Sequence, residues 1–134
     1  MKRAFIEIAS EDKNIKKVSS EILKSISAYK TDEHKLFDIK LCIEEAVRNA
    51  IIHGNNSDKK LHVKINYWVD NDKLNIEVED EGEGFDPNLI PDPTKGSNIT
   101  KESGRGVRLI KKLMDRVDFN EKGNKIRMEK RLWQ

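Results

Sequence analysis

The second quarter of the chain shows the clearest pattern of apolar and polar positions. Its apolar residues recur every three or four positions: Leu36, Ile39, Ile43, Val47 and Ala50. This spacing predicts an amphipathic helix, because residues three and four apart share one side of an α-helix. The acidic segment 31–33 predicts its first turn, and the helix is expected to run to about His53. Gly54 follows as the expected left-handed cap.

Alternation between apolar and polar positions predicts a sheet from much of the remaining chain. The predicted strands lie at 3–8, 61–69, 74–79, 116–120 and 125–132. Turn-forming residues at 70–72 and 122–124 separate neighbouring strands. One apolar face per strand indicates an antiparallel sheet that is covered on one side. A first helix is expected after Ser10, its N-cap, and a third helix after Gly106.

Two polar residues near the end of the second helix form the first candidate site. Glu45 and Asn49 are four residues apart, so they project from one face, one helical turn from each other. A carboxylate suits proton acceptance, and an amide oxygen suits a hard divalent cation. Together they can hold a water molecule and a cation, which makes this pair a candidate site for phosphate chemistry.

A second candidate motif stands where the chain leaves the sheet. Asp80 follows an alternating strand, and Gly82 and Gly84 come two and four residues later. A carboxylate at this point can accept a hydrogen bond from an exocyclic amine, while glycines let the backbone approach a flat ring. The competing interpretation is an ordinary acidic turn, since Asp and Gly are common turn formers.

A long irregular segment and a glycine pair complete the set of motifs. All three prolines fall within 80–103, and a loop of that length inside a compact domain is often functional. Gly104-Arg105-Gly106 then leads into the third helix, whose free backbone N–H groups could bind phosphate oxygens. A flexible linker that feeds a helix is the alternative interpretation.

Composition and charge narrow the function further. The chain has 134 residues, enough for one domain, and a formal net charge of +2. No basic stripe with interleaved aromatic residues appears, which argues against nucleic-acid binding. The single cysteine, Cys42, excludes an internal disulfide, and no apolar run approaches the roughly 18 residues of a membrane span. These features predict a cytoplasmic protein without a membrane segment.

The order of the motifs carries a family resemblance over nearly the whole chain. A Glu-x-x-x-Asn helix precedes a strand that ends in Asp-x-Gly-x-Gly, a long loop, and a Gly-x-Gly that opens a helix. The chain thereby resembles the GHKL superfamily of ATP-binding domains. It is most similar to the bacterial anti-sigma factor serine kinases in segments 45–54 and 80–87, with 103–106 in support.

The resemblance implies an α+β fold. The expected architecture is a two-layer sandwich, in which a mixed, mainly antiparallel sheet carries about three helices on one face. Residues 1–134 would form a single histidine kinase-like ATP-binding domain, with an ATP lid at about 83–103.

The resemblance also implies roles for the residues around the nucleotide phosphates. Asn49 would coordinate Mg²⁺ that bridges the ATP phosphates. Glu45 would act as general base or orient the attacking hydroxyl group. Gly104 and Gly106 would contact phosphates through the backbone, and Arg105 would also reach the nucleotide.

At the other end of the implied nucleotide, Asp80 would bind the adenine amino group, and Gly82 and Gly84 would shape the adenine pocket. Asn55 is also expected to reach the nucleotide. Many family members carry a threonine near the penultimate turn that helps to bind adenine. Here the turn reads Gly123-Asn124, so either Asn124 substitutes or that contact is missing.

The implied activity is an anti-sigma factor serine/threonine kinase that uses ATP and Mg²⁺. It would phosphorylate an anti-sigma antagonist of the STAS class and sequester a sigma factor, as a homodimer. One alternative is an ATP-gated protein-binding regulator without kinase activity. Another is a stand-alone ATPase domain of the histidine kinase type, although the continuation Phe85-Asp86-Pro87 looks more like the anti-sigma branch.

Two further positions have open interpretations. Trp68 falls on the polar face of its strand, where it is either a partner contact or covered by a neighbouring element. Ser19 is interpreted as an ordinary surface residue of the first helix.

Overall fold

The computed structural model describes residues 2–83 and 101–133, with the backbone alone for 101–103. Within these described residues, three α-helices and five strands make up most of the regular structure. In chain order they are β1 (Ala4–Ala9), α1 (Ile15–Ser25), α2 (Glu33–Asn49), β2 (His62–Asp70), β3 (Lys73–Glu79), α3 (Lys101–Leu113), β4 (Arg116–Phe119) and β5 (Lys125–Arg131). A 3₁₀ turn, Asp12–Asn14, precedes α1, and a π-helical turn, Ala50–Gly54, continues α2.

The five strands form one sheet in the order β1-β2-β3-β5-β4, and each described pair of neighbours is antiparallel. Side chains alternate between its two faces, so apolar positions of β2 and β3 such as Val63, Ile65 and Ile76 are completely buried. The hairpin between these strands turns at Asn71 and Asp72, whose φ angles of 51° and 62° are those a tight two-residue turn requires. The predicted α+β sandwich is confirmed.

Helix α2 is the central helix, with α1 on one side and α3 on the other. Its predicted start is confirmed, because the Asp32 side chain accepts a hydrogen bond of 2.7 Å from the Lys35 backbone N–H. Its predicted apolar face is also confirmed, with Ile39, Ile43 and Val47 fully buried against the sheet. The polar positions of α2 therefore lie toward its two neighbouring helices or toward solvent.

Two serines do not do what the sequence predicts. Ser10 is buried and is no helix cap; its hydroxyl group donates to the Leu61 carbonyl at 2.7 Å and accepts from Asn55. Ser19 is not a surface residue, because its hydroxyl group is buried and donates to the Glu44 carboxylate at 2.7 Å. Both partners are distant in sequence, so only the tertiary fold brings them together.

Two glycine predictions are also wrong. Gly54 does not cap α2 in the left-handed region; Asn56 and Ser57 adopt that conformation instead, with φ of 52° and 57°. The Gly104-Arg105-Gly106 motif does not precede α3, because the helix begins at Lys101 and contains all three residues. The N–H groups of a second helical turn normally bond within the helix, so Gly106 is not a free backbone donor here.

Trp68 is covered by neighbouring side chains of its own chain. It lies on the sheet face opposite the helices, yet it is only 7% exposed. The guanidinium carbon of Arg3 lies 3.9 Å from the centre of its ring, and that of Arg127 lies 5.3 Å away. Cation–π contacts of this kind explain the burial of an aromatic residue on a polar face.

Candidate functional site

Glu45 and Asn49 lie side by side on α2, facing α3, as their spacing predicts. A Cβ atom placed on Gly106 of α3 would lie 2.5 Å from Oε2 of Glu45 and 3.0 Å from Nδ2 of Asn49. Any larger residue at this position would displace the pair. The reason for glycine at position 106 is therefore the close approach of α3 to the two polar side chains.

The two oxygens of Glu45 have different surroundings. Oε1 accepts a hydrogen bond of 2.9 Å from Nη1 of Arg48, one turn further along α2. Oε2 lies against Gly106. Asn49, by contrast, has no hydrogen-bond partner for its carboxamide within the described part of the chain. An unengaged amide beside a fixed carboxylate is available to a ligand.

The other end of the site lies at the π-helical turn Ala50–Gly54 that follows α2. A Cβ atom on Gly54 would lie 2.3 Å from Oδ2 of Asp80, and one on Gly82 would lie 2.0 Å from the Gly54 carbonyl oxygen. The end of the helix and the turn after β3 thus interlock through two glycines. Since a helix rises about 1.5 Å per residue, Glu45 and Gly54 are roughly 13–14 Å apart along the helix, a span suited to an extended nucleotide.

Asp80 is a partly buried carboxylate at this end. Burial raises the pKa of its carboxyl group from 3.8 to about 6; the Gly82 N–H, at 2.8 Å from Oδ1, opposes that shift, Glu79 adds to it, and Lys122 opposes it. Within residues 2–83 and 101–133 the Gly82 N–H is the donor to this carboxylate and it bonds to Oδ1, which leaves Oδ2 for a ligand. A carboxylate with one free oxygen in a partly buried niche is suited to accept a hydrogen bond from an exocyclic amine.

Asn55 supports this turn from behind. Its carboxamide is buried and donates to the Ser10 hydroxyl group at 2.9 Å and to the His62 carbonyl at 3.0 Å, while its oxygen accepts from the Glu81 N–H at 2.8 Å. The expectation that Asn55 reaches the nucleotide is corrected, because its side chain is engaged inside the protein. It fixes the backbone next to Asp80 instead.

Asn124 lies directly beside Asp80. Its side-chain Nδ2 donates to the backbone carbonyl of Asp80 at 3.1 Å, and the backbone carbonyl of Asn124 accepts from the Asp80 N–H at 2.9 Å. Its Oδ1 accepts from Asn120 at 2.7 Å. The Asn124 carboxamide therefore borders the candidate adenine site and holds the Asp80 backbone in place.

The remaining predicted site residues are less informative. Gly84 and most of the predicted lid, 84–100, lie outside the described residues. Gly104 is buried in α3, whereas Arg105 is exposed on it. Sequence reasoning missed two contacts, that of Gly54 with Asp80 and that of Arg48 with Glu45. The only available signal was that Gly54 and Arg48 lie close in sequence to the Glu45–Asn49 motif.

The donor set fits a magnesium ion that is also held by phosphate oxygens. Among the described residues no group of three His, Cys, Asp or Glu side chains could form a metal site. Mg²⁺, however, is usually bound through one or two protein oxygens plus substrate phosphates and water. The unengaged Asn49 amide supplies an oxygen of the required kind.

Comparison with known proteins identifies the family of the chain. Residues 8–130 match the protein-family model described as a histidine kinase-like ATPase domain. An anti-sigma F factor of Clostridium perfringens is 38% identical over 104 residues, which cover 73% of this chain and 74% of that protein. The serine-protein kinase RsbW of Bacillus subtilis is 35% identical over 102 residues, which cover 71% of this chain and 64% of that protein.

Solved structures share the fold at low sequence identity. The RsbU and RsbW domains of a Mycobacterium tuberculosis protein align with a TM-score of 0.65 at 15% identity, covering 96% of this chain and 31% of that one. A histidine kinase domain from Erythrobacter litoralis aligns with a TM-score of 0.56 at 17% identity, covering 93% of this chain and 62% of that one. Across the described residues, no helix has the length and apolar character that spanning a bilayer requires.

Proposed function

The chain belongs to the histidine kinase-like ATPase domain family, and on that basis we propose that it is an anti-sigma factor serine/threonine kinase. It transfers the γ-phosphoryl group of ATP to an antagonist protein and also binds a sigma factor. One observation carries the proposal: a single helix joins the Glu45–Asn49 pair, which lies against Gly106, to the Gly54–Asp80 contact. Such a helix presents one end to the nucleotide phosphates and the other end to the adenine ring.

At the adenine end, Oδ2 of Asp80 accepts a hydrogen bond from the adenine amino group. Gly82 leaves room for the ring, and Asn55 and Asn124 hold the backbone around Asp80. At the phosphate end, Asn49 would hold Mg²⁺ through its amide oxygen, and the bound ion would neutralise charge on the phosphate oxygens. The first turns of α3 add the partial positive charge of a helix N-terminus.

Glu45 serves the protein substrate. The serine hydroxyl oxygen attacks the γ-phosphorus, the bond from that phosphorus to the ADP oxygen breaks, and the hydroxyl proton passes to Glu45 and then to water. Glu45 thus both orients the hydroxyl group and accepts its proton as the bond to phosphorus forms, and the phosphates and the cation carry the rest of the charge stabilisation.

The names of two relatives, anti-sigma F factor and serine-protein kinase RsbW, support the proposed partners. The proposed substrate is a serine on a small antagonist of the STAS class, and the proposed second partner is a sigma factor. The working form is a homodimer in the cytoplasm.

The test uses the purified chain, a small STAS-domain antagonist from the same organism, and γ-labelled ATP with either Mg²⁺ or chelator. The expected result is Mg²⁺-dependent phosphoserine on the antagonist, and none with Asn49→Ala. ATP at about 100 times its dissociation constant should also raise the free energy of unfolding by ~2.7 kcal/mol.

The outcomes separate the alternatives. If ATP stabilises the chain but no phosphoserine forms, the chain is an ATP-gated binding regulator and the kinase proposal is wrong. If ATP gives no stabilisation with or without Mg²⁺, the nucleotide site itself is wrong. Light scattering of the purified chain tests the homodimer, which a monomeric mass would contradict.

A further inference from the structure

Arg48 is the residue that fixes the orientation of Glu45. Its Nη1 donates to Oε1 of Glu45 at 2.9 Å, three residues away on the same helix. The Glu45 side chain is 20% exposed and that of Arg48 is 43% exposed, so the carboxylate is the more buried partner. The contact therefore lies at the edge of the site, with Glu45 inside it and Arg48 at its rim.

Because of this contact, the two carboxylate oxygens of Glu45 have different neighbours and can serve different roles. Oε1 is occupied by the guanidinium group, whereas Oε2 is turned toward Gly106 and thus toward the first turns of α3. A carboxylate held at one oxygen by a charged donor presents the other oxygen in a defined direction. Acid–base residues are commonly oriented by a third group in this way.

An ordinary surface pair would look similar in sequence. Exposed pairs three or four residues apart on a helix contribute little to stability, because solvent screens them and two side chains lose freedom. The difference here lies in what Glu45 touches on its other side. Without Arg48, Glu45 could turn away from Gly106 at little energetic cost.

We propose that Arg48 is a positioning residue for phosphoryl transfer, which it serves by holding Oε1 of Glu45 so that Oε2 faces the attacking hydroxyl group. The inference rests on the proposed kinase function. It assigns Arg48 no contact with the nucleotide, and this separates it from an arginine that binds the γ-phosphate directly.

The test compares Arg48→Ala, Arg48→Lys and the exposed control Lys40→Ala in phosphorylation of the antagonist. Loss of one charge-assisted hydrogen bond should lower kcat about 10-fold in Arg48→Ala. The KM for ATP should stay within about twofold, because the nucleotide contacts are untouched. Arg48→Lys should recover much of kcat, since a lysine keeps the cation, and Lys40→Ala should match the wild type.

A double-mutant cycle identifies the route of the effect. In a Glu45→Gln background, Arg48→Ala should cause no further loss, because the group that Arg48 orients has been changed. A raised KM for ATP, or an undiminished loss in that background, would assign Arg48 to the phosphates and overturn the inference. Wild-type kcat in Arg48→Ala, or an equal loss in Lys40→Ala, would overturn it as well.

Failure of the proposed kinase function can be distinguished from failure of the role proposed for Arg48. If the wild-type chain transfers no phosphoryl group, the kinase proposal fails, and the Glu45–Arg48 contact is tested by urea unfolding of the wild type, Arg48→Ala, Glu45→Gln and the double variant. A measurable coupling between the two positions supports the contact. Additive effects of the two changes would overturn the inference without reference to activity.

Discussion

Binding of adenosine should depend on pH through Asp80. Burial raises the pKa of this carboxyl group to about 6, and its free Oδ2 is the proposed acceptor for the adenine amino group. The ionised carboxylate is the stronger acceptor, so protonation should weaken binding. Adenosine is the suitable probe because it lacks the phosphate groups that titrate in the same pH range in ATP.

The magnitude follows from the ionised fraction of Asp80. With a pKa of about 6, roughly nine-tenths of the carboxyl groups are ionised at pH 7, half at pH 6 and about one-eleventh at pH 5. If the ionised form alone binds, the association constant should fall about 10-fold between pH 7 and pH 5, equivalent to about 1.4 kcal/mol. An unshifted aspartate would give almost no change over this range.

Isothermal titration with adenosine at several pH values measures the effect, and Asp80→Asn provides the control. In the variant, the amide oxygen accepts from Gly82 and the amide nitrogen then meets the adenine amine, so binding should be weak at every pH. Constant affinity of the wild type from pH 5 to pH 8 would refute the reasoning. The same pH slope in Asp80→Asn would assign the titration to another group.

Three further predictions address the same contacts. Without nucleotide, Asp80→Asn should melt at a higher temperature than the wild type at pH 8, and calorimetry should show the difference closing toward pH 4. The sign follows because the raised pKa means that the native state binds this proton more tightly than the unfolded chain does. The resulting stabilisation is complete below pH 3.8 and is lost as the pH rises through about 6. Gly106→Ala favours the helix by about 1 kcal/mol, yet its Cβ would lie 2.5 Å from Oε2 of Glu45; initial rates should show phosphorylation falling at least about 10-fold with adenosine affinity unchanged. Gly54→Ala should displace the Asp80 carboxylate, because the added Cβ would lie 2.3 Å from it. Titration should then show that adenosine affinity is lost; retained affinity would mean that the turn can shift to make room.

The periodic parts of the fold were predictable from the sequence. Helix α2 and the β2–β3 hairpin depend on repeating apolar positions and on local turn residues, so a short window of sequence contains most of the information. The four-residue spacing of Glu45 and Asn49 likewise predicts that they share a face, because four residues make about one helical turn.

The mistaken predictions share a physical cause, which is long-range contact. Ser10 looked like a cap, but its hydroxyl group bonds to Leu61, 51 residues away. Ser19 looked exposed, but its partner Glu44 lies on another helix. Gly54 was explained by a left-handed φ that it does not have, whereas the actual constraint is the Asp80 carboxylate beside it. No local pattern encodes such neighbours.

The most direct test of the kinase site separates nucleotide binding from transfer in a single variant, Glu45→Gln. Glutamine keeps the size of the side chain but is a poor proton acceptor, and Asn49 and Asp80 are unchanged. The measurement is ATP affinity by calorimetry together with phosphoserine formation on the antagonist. The account predicts ATP affinity within about twofold of the wild type and a loss of transfer of at least about 100-fold. Phosphorylation at the wild-type rate would contradict the role assigned to Glu45, and with it the proposed site of transfer.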